Sequence, residues 1–472
     1  MSAELLFTPV SELGPQIRAR KVSPVALVEA SLERLETEGR RLNAVVTLAK
    51  DEALEKARAA EAGIRRGRYA GPLHGIPYGA KDLLATRGMP TTWGAAPYRD
   101  QRFDYDATVI AKLEKAGAIL VGKLAMVELA GGMGYNNADA SFTGPGLNPW
   151  NSGYWSGGSS SGAGSAVGAG CVSFAIGSET VGSILTPSAF SGVTGLRPTY
   201  GRVSRYGAMA LCWTLDKLGP MGRSAEDCRL VLAAIEGVDP RDPTTVAAPR
   251  SAPLGRRARI GILKGATDFV HPEVSKNFRE SVSVLRAFAD VTEDAQLPDF
   301  PYGQLAGTIV DAEGGSAFRD LIESGGLREL RAKADRVGGY ASVMLPAVDY
   351  LHAMRVREKA RGPMAEVFRK FDLLAAPTRA TVAIPIGVDF DKAFPELAQG
   401  RPASFVSPIG ALISSGNLVG YPALSLPNGF GRDGLPTAIQ LLAGPFREGV
   451  LTSVSAGYQQ RTDFHRRRPP AP

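Results

Sequence analysis

Residues 157–187 read GGSSSGAGSAVGAGCVSFAIGSETVGSILTP; nearly half are glycine or serine, and Glu179 is the only charge. A flexible linker could supply the first half, but not the apolar VSFAIG in the middle. Hydroxyls crowded around a short apolar strand, with few bulky side chains between them, suit nucleophilic chemistry in which the backbone approaches a reacting carbon closely. GSSSG at 158–162 fits the G-x-S-x-G elbow with Ser160 at its centre. That elbow follows an apolar strand directly, whereas the loop-like LNPWNSGYWS precedes this one. It also needs a histidine, and His74, His271, His352 and His465 stand in no telling context. A neutral lysine can activate serine instead. Lys81, in HGIPYGAKDLLAT, follows a Gly/Pro turn and precedes an apolar run, so its stem reads as buried. Taken alone, the Lys81-Asp82 dipeptide also reads as an ordinary surface pair. GAILVGKL at 117–124 imitates a phosphate loop, but AILV is strand-forming and Leu124 offers no hydroxyl to a metal.

The elements that must position these groups are legible in outline. PVALVEASLERLE has apolar residues at helical spacing and starts at Ser23-Pro24, a good cap and first-turn pair. AVVTL reads as a strand, DEALEKARAAEAGIRR as a second amphipathic helix, and GPLHGIPYGAKD as turn-rich. DATVIAKLEKAG is helical and leads into the apolar AILVG. The Pro-rich residues 240–255 form a connection. RIGILK then reads as a strand, 273–289 as a helix, and 350–370 as a long basic helix, with LLAAP, TAIQLLAG and a helix near 448–461 closing the chain. Strands alternating with helices point to a layered α/β architecture.

The chain has 472 residues, 44% of them hydrophobic, enough for a large core. Cys171, Cys212 and Cys228 show no metal spacing and fit a reducing cytosol. The N-terminal residues do not resemble a signal peptide, and no apolar run approaches a membrane span. The expectation is a soluble, cytoplasmic protein. The net charge of +7 is scattered in short clusters such as Arg65-Arg66 and Arg466-Arg467-Arg468, without interleaved aromatics. That pattern serves solubility better than a nucleic-acid face.

Together, HGIPYGAKD, GGSSSG and GSETVGSILTPSAFSGVTGLRPT resemble the amidase signature family, and GPMGRSAEDC, NLVGYPALSLPNGF and GLPTAIQLLAGPF extend the resemblance over most of the chain. It implies one large α/β domain over 1–472, with a mixed, twisted central sheet covered by helices on both faces and a signature core at about 70–200. The family's catalytic lysine falls on Lys81, its cis-linked middle serine on Ser159 and its nucleophile on Ser183. The backbone N–H groups of Thr180, Val181, Gly182 and Ser183 then line an oxyanion hole. Gly131, Gly132 and Leu185 are candidate substrate-pocket positions. The implied reaction passes through an acyl-enzyme without cofactor or metal. Holding a lysine neutral at pH 7 costs roughly 4–5 kcal/mol, which burial can supply.

Several departures bear on the substrate. Ser161 replaces a common Gly, Glu179 a common Asp and Val181 the first Gly of the GGS turn. Leu185-Thr186 stands where many members carry an Arg, and PIGALISSG before Asn417 lacks the acid that helps hold glutamine in the glutamine-dependent tRNA amidotransferase. Both absences favour a small neutral amide cleaved by a stand-alone hydrolase. A carbamate is the nearest rival, with urethanase or esterase activity, and the glutamine-cleaving component of a tRNA amidotransferase is the rival from another class. The expected partner is the small-molecule substrate, with no membrane, no nucleic acid, and a homodimer left open.

Overall fold

The computed structural model describes residues 2–247 and 254–470, so the connection expected over 240–255 falls partly on residues 248–253, outside the described residues. Eleven strands form one sheet: β1 (Val45–Leu48), β2 (Pro77–Lys81), β3 (Ile119–Leu124), β4 (Phe174–Glu179), β5 (Thr194–Arg197), β6 (Lys217–Gly222), β7 (Arg259–Leu263), β8 (Asp290–Ala295), β9 (Leu373–Pro377), β10 (Ala423–Phe430) and β11 (Pro436–Ala443). Their order is β1-β3-β2-β4-β6-β5-β10-β11-β9-β7-β8. The sheet is mixed. β2 runs parallel to both β3 and β4, and β7 to both β8 and β9, while β6, β5, β10 and β11 make an antiparallel centre.

Both faces of the sheet are covered. Successive residues of a strand point to opposite sides, and here they enter different cores: Tyr78, Ala80, Phe174 and Ile176 one, Ile119, Val121 and Ala175 the other. Tyr78 and Phe174 stack at 5.2 Å on neighbouring strands, a pairing worth about 0.5–1.5 kcal/mol beyond its buried area. The expected first helix forms at Pro24–Arg34, with the Ser23 hydroxyl accepting from the Ala26 N–H. The helices expected after it form at Lys50–Arg65, Thr108–Lys115, Pro272–Arg286, Ala347–Lys370 and Glu448–Gln459.

Two segments depart from the sequence reading, and both build the site. GPLHGIPYGAKD reads as turns, yet its second half is β2, in the interior of the sheet between β3 and β4. Pro77 is tolerated because it opens the strand, where the missing N–H matters least. Gly79 is needed because a Cβ there would meet Leu124 Cδ1 at 2.4 Å. Residues Ser161–Gly168 (SGAGSAVG) are poor helix formers but form a helix buried on every side. Packing overrides propensity: Ala163, Ala166 and Val167 fill the second core.

Candidate active site

Parallel pairing of β2 with β4 sets Ala80 opposite Ile176, so Lys81 and Ser178 emerge together at the carboxyl ends of adjacent strands. Ligands of open α/β sheets gather at that end. The turn into the helix Ser161–Gly168 brings Ser159 to the same point, and the Gly158–Ser159 peptide bond is cis. Lys81 Nζ lies 2.7 Å from Ser159 Oγ and 2.9 Å from Ser178 Oγ, and all three residues are buried. Burial pulls the Lys81 ammonium down from its ordinary 10.5 to about 7, against the opposing fields of Asp216 and Glu179. An amine in that position shares its lone pair and its N–H groups with two hydroxyls near neutral pH.

Ser183 stands in the turn between β4 and the helix Leu185–Ser191, half-buried, and lines a cavity of about 400 Å³ with Gly158, Val181 and Thr186. Its carbonyl accepts from the Ser160 N–H at 3.3 Å, which ties the two serine-bearing turns together. Among the described residues, no hydrogen bond joins the Ser159 and Ser183 hydroxyls. Nor do the N–H groups of Thr180, Val181, Gly182 and Ser183 donate to another described residue, so they remain available to an oxyanion. Gly182 holds φ at 88°, a left-handed conformation that favours glycine.

Acidic residues fix this turn at both ends. Glu179 Oε2 accepts from the N–H groups of Ile184 (2.9 Å) and Leu185 (3.0 Å), while Oε1 accepts from Arg197 (2.7 Å) and Asn417 (2.9 Å). Burial raises the carboxyl's proton affinity, but Arg197, Asn417 and the Ile184 N–H outweigh it and hold Glu179 at about 2. Asp216 Oδ1 accepts from the Thr180 hydroxyl at 2.6 Å, and its Oδ2 from the Leu211 and Cys212 N–H groups. Sequence reasoning missed Ser178, Asp216, and the Arg197 and Asn417 partners of Glu179. Ser178 had a signal, since it lies in the same GSETVGS run. Asp216 had none, because only folding brings it to Thr180.

The other sequence candidates find definite places. Asp82 is no surface group: it is buried with Lys123 of the imitation phosphate loop, at 3.1 Å. That loop is β3. Gly131 and Gly132 follow the left-handed Leu129 and Ala130, and a Cβ on Gly132 would meet Leu211 at 2.3 Å. Leu185 is fully buried in the first core, and its neighbour Thr186 faces the cavity. Position 185 is therefore core rather than pocket wall, and a missing Arg there says little about substrate charge. Arg357 is spent on the carbonyls of Leu418 (2.6 Å) and Thr214 (2.8 Å), and Arg355 is exposed.

Residues 26–451 match the Amidase family. The chain belongs to the amidase signature family. Members act on carbon–nitrogen bonds, and their fold is a single large α/β domain like the one described. The chain is 38% identical to the GatA component of the Moorella thermoacetica glutamyl-tRNA(Gln) amidotransferase, over 99% of each chain. It is also similar to the solved peptide amidase of Stenotrophomonas maltophilia (TM-score 0.83, 29% identity, 98% of each chain). A bacterial aryl acylamidase of the family superposes with a TM-score of 0.83 at 25% identity, covering 98% of this chain and 99% of the other. Among the described residues, no helix of this amidase fold is long and apolar enough to cross a membrane.

Proposed function

We propose that this chain is a serine hydrolase that cleaves the C–N bond of a small amide through Lys81, Ser159 and Ser183. The observation that carries the reading is a fully buried lysine, poised near neutrality, 2.7 Å from the hydroxyl of Ser159. Neutral Lys81 takes the Ser159 proton as Ser159 takes that of Ser183, and Ser183 Oγ attacks the carbonyl carbon. The N–H groups of Thr180, Val181, Gly182 and Ser183 receive the charge that develops on oxygen; one such donor is worth about 2.7–4 kcal/mol in the transition state. The proton then returns along the relay to the leaving nitrogen, which is expelled as an amine, and water releases the acyl group. A carbamate presents the same carbonyl and is the alternative substrate.

Ser183→Ala should abolish turnover, by about 10⁴-fold or more, while leaving the melting temperature near that of wild type. A serine-directed fluorophosphonate should label wild type at Ser183 and fail on the variant. Labelling that persists at Ser160 would reject this triad.

The relatives named as amidotransferase components favour a second reading, in which the chain transfers ammonia from glutamine within a larger assembly. Against it stands the helix Pro408–Val419, whose residues 408–416 carry no acid to hold glutamine. Assaying the purified chain alone against aryl amides, aryl carbamates and glutamine separates the two.

A further inference from the structure

The cavity that holds Ser183 is lined with hydrogen-bond donors that have no acceptor. Arg379 follows β9, and its segment is rigid: the Thr378 N–H donates to Ala438, the Thr378 hydroxyl meets that of Ser425 at 3.0 Å, and the Ala380 carbonyl accepts from His271. The Arg379 side chain reaches the cavity half-buried, and among the described residues its guanidinium makes no hydrogen bond or ion pair. A desolvated cation without a partner is costly, and proteins keep one where a ligand supplies the counter-charge. Tyr135 lines the same cavity close enough to Arg379 for each to perturb the other's proton affinity, and its hydroxyl has no partner among the described residues. Trp155 is a third lining residue, and its buried indole N–H has no acceptor either.

The walls specify the rest of the ligand. Trp155 stacks on Phe390 at 4.7 Å, and Tyr135 meets Phe390 edge-on at 5.6 Å, which leaves flat apolar surfaces beside the cation. The other charged lining residues, Arg401 and Asp391, are exposed at the rim. We propose that Arg379, with Tyr135, is the receptor for a carboxylate carried by an aromatic substrate, so that the amide cleaved at Ser183 is an aryl amide bearing an acid group. The planar guanidinium fork matches a carboxylate with two parallel hydrogen bonds, which a lysine cannot reproduce. The assignment rests on the amide-hydrolase reading and gives it a substrate class opposite in charge to the one the sequence suggests.

Two matched pairs test it. 4-Acetamidobenzoate against acetanilide places the acid on the leaving side, and the monoanilide of terephthalic acid against benzanilide places it on the acyl side. Wild type should favour the acid in one pair by about 10²-fold in kcat/KM, mostly through KM. Arg379→Met should bring that ratio to about 1, Arg379→Lys should give an intermediate ratio, and Arg401→Met should retain most of the preference. A neutral substrate equal to or better than the acid in both pairs overturns the proposal, as does a preference that survives in Arg379→Met. If no amide is cleaved, the reaction reading fails, and benzoate binding then judges the anion site by itself. Thermal stabilisation of wild type by benzoate but not by benzyl alcohol, lost in Arg379→Met, supports the site. Equal responses to the two probes, or an unchanged response in the variant, overturn it.

Discussion

Lys81 concentrates the chemistry and its energetic cost in one side chain. Its displacement from 10.5 to about 7 corresponds to about 5 kcal/mol of lost preference for the ammonium form. As a base it works only when neutral, so kcat/KM should rise as pH climbs through about 7 and level off above 8. A profile that falls over this range would contradict the assignment. The same displacement has a stability consequence of fixed sign. Between pH 7 and 10.5 the unfolded chain binds the proton and the folded chain does not, so wild type gains stability as pH rises through this window. Below 7 the full penalty remains; above 10.5 it has gone. Lys81→Met removes the titration, so urea unfolding at pH 7, 8.5 and 10 should show wild type gaining on the variant at each step.

At the scale of elements, the turn between β4 and the helix Leu185–Ser191 is held by Glu179 and Asp216 rather than by its own sequence. Glu179 is the longer replacement for a common Asp, and in this fold it spans from the Ile184 and Leu185 N–H groups to Arg197 of β5 and Asn417. Its proton affinity lies at about 2 against an ordinary 4.5, a contribution of about 3 kcal/mol that is complete above pH 4.5 and lost as pH falls through 2. Glu179→Gln leaves the Arg197 charge buried without its partner, which should destabilise the protein by about 3–5 kcal/mol at pH 7. The loss should shrink as pH falls from 4.5 toward 2. Activity per folded molecule should also drop, because the oxyanion donors belong to the turn that Glu179 pins. Denaturant titration and single-turnover rates measured on the same preparation separate the two effects. Full activity in a destabilised Glu179→Gln would confine the residue to a structural role.

For the whole molecule, the open matter is whether this chain works alone. The sheet closes both of its faces with its own helices, and the cavity at Ser183 is lined entirely by residues of this chain. The isolated protein should therefore hydrolyse aryl amides without tRNA, ATP, metal or a second protein. Glutamine-dependent tRNA amidation that appears only when a partner protein is added would establish the other class.

The sequence by itself determined the reaction class and most of the secondary structure. Helices such as Lys50–Arg65 and strands such as Leu373–Pro377 were legible because periodic apolar patterns are local, and the serine-rich signature was legible because its spacing is contiguous. Only the tertiary structure decided that HGIPYGAK holds an interior strand, since its Gly and Pro look like turn residues until Leu124 occupies the space above Gly79. Tertiary structure also turned Asp82 into the buried partner of Lys123 and withdrew Leu185 into the core. It placed Arg379, nearly 200 residues from the nucleophile, on the nucleophile's own cavity. Burial and charge pairing depend on contacts distant in the chain, and no local pattern encodes them.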